Sequence, residues 1–170
     1  MDSYSQEILK ELLRAENDVV PVAATAQGRA KKPVGKLDHW SAAVLLERAA
    51  YLRKLAKNGD GSASETLQEF PRHCAMLLFR SRDGGAEVHD NFADLFYVLD
   101  GRAALMTGGA VVGAKLIAAG ETRGDKVEGG ARQELRAGDV AHVPAGVPHQ
   151  MLVASEQTVT CLVMKIQENP

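Results

Sequence analysis

From Pro71 onward, short apolar runs alternate with glycine-rich turns, and no segment between them is long enough to form a helix. The runs are His73–Arg82, Asp94–Asp100, Ala103–Thr107, Val111–Leu116, Gln133–Leu135, Val140–Val143, His149–Val153 and Val159–Ile166. Gly84–Gly85, Gly108–Gly109, Gly129–Gly130 and Gly138–Asp139 supply the tight turns. A parallel sheet needs a crossover helix after each strand, so this pattern excludes an α/β fold and argues for an all-β sandwich or barrel. The expected core is Met76, Leu78, Phe96, Val98, Leu105, Val140, Met151, Leu162 and Met164.

Ahead of this region the pattern is helical. Ser3 with Gln6 resembles a capping box before Ile8, Leu9, Leu12 and Leu13. A second run from about Ser41 places Leu45, Ala49, Leu52 and Ala56 on one stripe, with most charges off it and Gly59 at its end. Such amphipathic helices must lie on something. Between them, Asn17 to Lys36 reads as an irregular arm with a basic patch at Arg29, Lys31, Lys32 and Lys36. The patch could touch an acidic partner, but four charges without interleaved aromatics read first as a solvated loop.

A formal net charge of −2 gives no field toward DNA or an anionic membrane. No apolar run approaches the ~18 residues a membrane span requires, and the first twenty residues lack a basic start followed by an apolar centre. The two cysteines, Cys74 and Cys161, each lie in an apolar run and read as small buried thiols. These features lead us to expect a cytoplasmic protein with no nucleic-acid partner and no membrane partner.

The segment Gly138-Asp-Val-Ala-His-Val-Pro144-Ala-Gly146-Val-Pro-His149 is the most informative in the chain. Pro144 and Gly146 force a turn, and Pro148 restricts Val147, so the direction in which His149 leaves is fixed. A metal site needs such a rigidly aimed imidazole, because its ligands must converge at about 2.0–2.2 Å. Upstream, Glu87 and His89 are two residues apart and share one face if they lie on a strand. Glu87 could equally lie in the turn after Gly84–Gly85. Asp94, Phe96 and Val98 share one face of the next strand, and Leu95, Tyr97 and Leu99 share the other.

The Gly138–His149 segment resembles the second cupin motif, G-x5-P-x-G-x2-H-x3-N, with Val153 at the final Asn position. Glu87-Val-His89-Asp-Asn-Phe-Ala-Asp94 through Gly101 resembles the first, H-x-H-x(3 or 4)-E-x6-G, with Glu87 and Asp94 replacing the first histidine and the glutamate. The resemblance implies a single cupin (jelly-roll) barrel over residues 71–170, and the helices and arm read in residues 1–70 are expected to dock on it. It also implies one divalent transition metal on Glu87, His89, Asp94 and His149. Asn91 is a neutral alternative ligand. Mixed nitrogen and oxygen donors suit Fe, Mn, Co, Ni or Zn.

His142 lies in the strand before Pro144. It is either a buried structural histidine, or an acid/base group or replacement ligand near the metal; an imidazole titrating near pH 6.5 suits proton transfer. Arg80, Arg82, Arg123 and Lys126 are candidates to pair a substrate carboxylate, though each could simply be solvated. No nucleophilic elbow or phosphate loop is present. Cupins commonly dimerise, and their chemistries include oxygenase, isomerase, decarboxylase and lyase reactions. The expectation is a homodimeric metalloenzyme acting on a small organic molecule, dioxygenase-like in preference to isomerase or lyase. The alternative is a non-catalytic module that binds a small ligand or metal.

Overall fold

The computed structural model describes residues 37–168. The helix expected near Ser3 and the basic arm lie outside these residues. Ser41 starts helix α1 (Ala42–Asn58) by accepting a hydrogen bond from the Val44 amide on its Oγ, the usual office of an N-cap serine. Leu45, Ala49, Leu52 and Ala56 are its buried residues, the stripe expected from the sequence.

Twelve strands follow among the described residues: β1 (Ser62–Glu69), β2 (His73–Arg80), β3 (Ala86–His89), β4 (Phe92–Thr107), β5 (Ala110–Val112) and β6 (Lys115–Ala118), then β7 (Glu121–Gly124), β8 (Lys126–Glu128), β9 (Ala131–Arg136), β10 (Val140–Val143), β11 (His149–Leu152) and β12 (Val159–Gln167). All pairings are antiparallel, in the order β1-β2-β12-β4-β11-β3-β7-β6, with β9 and β10 also on β4 and a separate β5–β8 ribbon. Strand β1 is absent from the sequence-based expectation. The Gly120–Gly124 stretch, expected as a turn, contains β7.

Strand β4 belongs to both walls. Its first half pairs with β12 and β10, and its second half with β9 and β11. The corner is Gly101, at φ +80°, where an added Cβ would run into the Thr158 carbonyl. This gives the glycine of the first motif a mechanical reason. Gly101→Ala combines a left-handed backbone with a backbone collision and should cost about 3–5 kcal/mol. Gly146→Ala, at φ +78° but facing open space, should cost only about 1–2 kcal/mol. Chemical denaturation of both variants checks this, and equal small losses would remove the corner argument.

Two apolar clusters hold the fold. Inside the barrel lie Phe96, Val98, Leu105, Met151, Cys161 and Val163 with their neighbours. Outside it, α1 packs on Leu77 and Phe79 of β2, with Tyr51, Ala63 and Leu99 at the margins. The expected core is therefore half right. Phe96, Val98, Leu105 and Met151 are buried, but Val140 is 61% exposed, and Leu162 and Met164 lie on the less buried face of β12. In β2 both faces are covered, so Met76 and Leu78 meet the interior while the odd-numbered residues meet the helix. No helix among the described residues is long and apolar enough to cross a membrane.

Candidate metal centre

Three residues of the candidate site come from one wall and one from the other. Register places His149 of β11 opposite Glu87 of β3, and Arg123 of β7 on the far side of Glu87. His89 stands opposite Glu121 in the next row of the β3–β7 pair. From the facing wall comes Asp94, opposite Val143 on β10 and Lys165 on β12. The two motifs are joined directly, since the Gly146 amide donates to the His89 carbonyl at 2.8 Å.

The structure brings Glu87, His89, Asp94 and His149 together, with one potential ligand atom from each lying within 4.8 Å of the others. His89 Nε2 is 3.3 Å from Glu87 Oε2 and 3.4 Å from Asp94 Oδ2, and His149 Nε2 is 3.5 Å from Asp94 Oδ2. Donors held at about 2.1 Å from a common ion stand about 3.0–4.3 Å from one another, so these separations fit one. The two imidazole rings are 5.3 Å apart between centroids. Asn91 is not needed to complete the set.

Each histidine is oriented through its other nitrogen. His89 Nδ1 donates to Glu121 Oε2 at 2.6 Å, and His149 Nδ1 donates to the Val147 carbonyl at 3.1 Å. Both bonds turn Nε2 toward the centre, as outer partners of metal-binding histidines do. His149 Nε2 is buried and has no hydrogen-bond partner. A buried imidazole nitrogen 3.5 Å from the Asp94 carboxylate is a donor atom that no protein group satisfies. Gln150, beside it, holds β11 in place by donating to the Gly84 carbonyl and accepting from the Val127 amide.

Charge accumulates here. Burial alone would depress the His89 pKa, but hydrogen bonds to Asp94 and Glu87 prevail and push it up to about 9. Burial works against ionisation of Glu87, yet His89 and Arg123 bring its pKa down to about 2. Asp94 is likewise held well below the usual carboxylate range: burial opposes this, but His149, His89 and Lys165 outweigh it. Lys165 was invisible from the sequence. Its Nζ donates to Asp94 Oδ1 at 2.7 Å and lies 2.8 Å from His89 Nε2, inside the group of four.

The structure corrects the expected placement of His142. It pairs with Leu95, not Asp94, so alternation turns its side chain to the outside of the wall. There it is half-exposed and 3.5 Å from Glu168, so it cannot touch anything bound at the centre. Sequence reasoning also missed Glu121 in this role, because its stretch read as a turn. Val153, at the motif's final Asn position, is buried and its amide donates to Asp83. Both cysteines are free, and burial pushes the Cys161 thiol up to about 12, which removes it as a nucleophile.

Beside the four residues is a cavity of about 310 Å³, walled by Met76, Leu78, Phe96 and Met151, with Arg80 and Arg123 also in its lining. No family model and no curated protein matches the chain. Among solved structures, the protein TT1209 from Thermus thermophilus is 19% identical, with TM-score 0.51, 72% of this chain and 93% of that one covered. A conserved protein with a double-stranded β-helix domain from Klebsiella pneumoniae is 15% identical (TM-score 0.48, 64% and 78% covered). The cupin domain of Cnp3 from Schizosaccharomyces pombe is 11% identical (TM-score 0.48, 63% and 65% covered). The chain has the cupin fold. In this cupin barrel both motifs lie on the strands that surround the interior, with Gly101 at the corner of β4 and Gly146 in the turn before β11.

Proposed function

We propose that this cupin barrel holds one divalent transition metal on Glu87, His89, Asp94 and His149, and acts on a small organic molecule in the adjoining cavity. The observation that carries the reading is the buried, partnerless His149 Nε2 facing Asp94 and the rest of the converging group. When bound, such an ion supplies Lewis-acid polarisation and, if redox-active, chemistry with dioxygen. Two imidazoles with two carboxylates suit Fe, Mn, Co, Ni or Zn. Dioxygenase-like chemistry is our preferred form of the proposal, with isomerase or lyase chemistry next.

The chain's own side chains have definable tasks in this scheme. Glu121 and the Val147 carbonyl orient the two imidazoles. Met76, Phe96 and Met151 exclude water from one side of the cavity and suit a carbon skeleton. Lys165 lines the cavity with its Nζ bonded to Asp94, placed to hydrogen-bond a bound molecule, whereas His142 is not among the lining residues.

A second reading draws on the same lysine. Its ammonium already gives Asp94 a counter-ion, so the group could serve a metal-free binding module. Elemental analysis of protein purified without added metal separates the two. Near one Fe or Mn per chain supports the dioxygenase-like form, and zinc alone turns the proposal toward isomerase or lyase chemistry. Metal-free protein whose stability is unchanged by added Mn, Fe or Zn would falsify the metalloenzyme reading.

A further inference from the structure

Of the four basic residues considered from sequence as carboxylate partners, the structure dismisses two. Arg82 is exposed and 3.4 Å from Asp60, and Lys126 is exposed and paired with Glu128 at 2.6 Å. Arg80 and Arg123 line the cavity, as does Lys165. The lining therefore carries three cations against the carboxylates of Glu87 and Asp94, and a divalent ion on those carboxylates leaves the basic groups in excess.

The three are not equivalent. Arg123 contacts Glu87 and lies 3.6 Å from Glu121, and Lys165 is spent on Asp94. Arg80 is held more loosely, by a long ion pair with Glu87. Its Nε is buried without a hydrogen bond, and its Nη2 is 3.8 Å from Glu87 Oε1, beyond hydrogen-bonding distance. A guanidinium stays charged at any working pH, and its flat fork matches a carboxylate. The group is also held in place. A Cβ on Gly84 would come within 2.9 Å of Arg80 Cζ and 3.0 Å of Nη1, so the guanidinium rests on bare backbone. That backbone is fixed to the site's own strand: the Gly84 amide donates to the Met151 carbonyl, and its carbonyl accepts from Gln150.

We propose that Arg80 is the subsite for an oxyanion of the substrate, and that the molecule taken by this cavity is a small organic acid. Its carboxylate pairs with Arg80, its carbon skeleton lies on Met76, Phe96 and Met151, and a second oxygen turns toward Glu87 and the metal. Only that last contact rests on the metalloenzyme reading; the pairing with Arg80 does not.

Calorimetry with lactate, pyruvate, 3-hydroxybutyrate and benzoate, each against its neutral amide, tests the subsite in the Mn- or Zn-loaded protein. At least one acid should bind tenfold or more tightly than its amide. Arg80→Met should abolish that preference with the metal content unchanged. Gly84→Ala, which pushes the guanidinium off its seat without burdening the backbone, should weaken acid binding several-fold. No preference in the unaltered protein, or a preference that survives Arg80→Met, overturns the proposal. If the chain loads no metal, the metalloenzyme reading fails, and the same titrations on the metal-free protein still decide for or against the Arg80 subsite.

Discussion

His149→Ala is expected to weaken metal binding at least about a hundredfold, enough for the metal to be lost on dialysis while the fold remains. The wild-type imidazole is buried, already oriented by the Val147 carbonyl, and offers a nitrogen that no protein group satisfies. Removing it deletes a ligand whose ordering the fold has already completed. His89→Ala should act as strongly, whereas Glu121→Gln, which only loosens the orientation of His89, should cost about 10–100-fold. The affinity should also depend on pH. The His89 pKa is raised to about 9, so below that value the ring carries a proton that a metal must displace. Affinity should rise about tenfold per pH unit toward pH 9 and flatten above it, the slope for one released proton. Metal titrations at fixed ionic strength measure this. Unchanged metal retention in His149→Ala would sink the site.

Lys165→Met is expected to move two quantities in opposite directions. In the metal-free protein the substitution strips Asp94, only 3% exposed, of its ammonium partner. Breaking a buried pair from one side costs about 3–5 kcal/mol. His89, 3.4 Å from Asp94, remains to share the charge, so the lower end applies, and Tm should fall by roughly 6–12 °C. Metal affinity should instead rise at least about tenfold, because the ammonium stands between His89 Nε2 and Asp94 Oδ1, in the space an ion needs. Calorimetry and metal titration on one preparation read both. A lower Tm with no gain in affinity would support the lysine as the permanent cation of a metal-free site.

The sequence made the candidate ligands legible because they sit in local patterns: a turn built by Pro144, Gly146 and Pro148, and a two-residue spacing between Glu87 and His89. Strand alternation also put Asp94 and Phe96 on one face, and both are buried. What stayed hidden depends on register. Lys165 reaches Asp94 only because β12 pairs with β4 in one alignment, and nothing within the local run Val159–Ile166 indicates which neighbour a lysine will meet. His142 failed for the converse reason, since its closeness in sequence to His149 says nothing about the face of β10 it occupies. Strand β1 escaped notice because Ser62–Glu69 carries little apolar content beyond Ala63 and Leu67. It qualifies as a strand through its pairing with β2 and its place near α1. Glu121 and Arg123 were obscured by flanking glycines, which signalled a bend where the backbone is extended.

Because one unbroken strand of 16 residues runs through both walls, the enclosure is a folded ribbon with no seam between its halves. Prising the two walls apart would mean breaking the ladder at Gly101, where even a methyl group has no room.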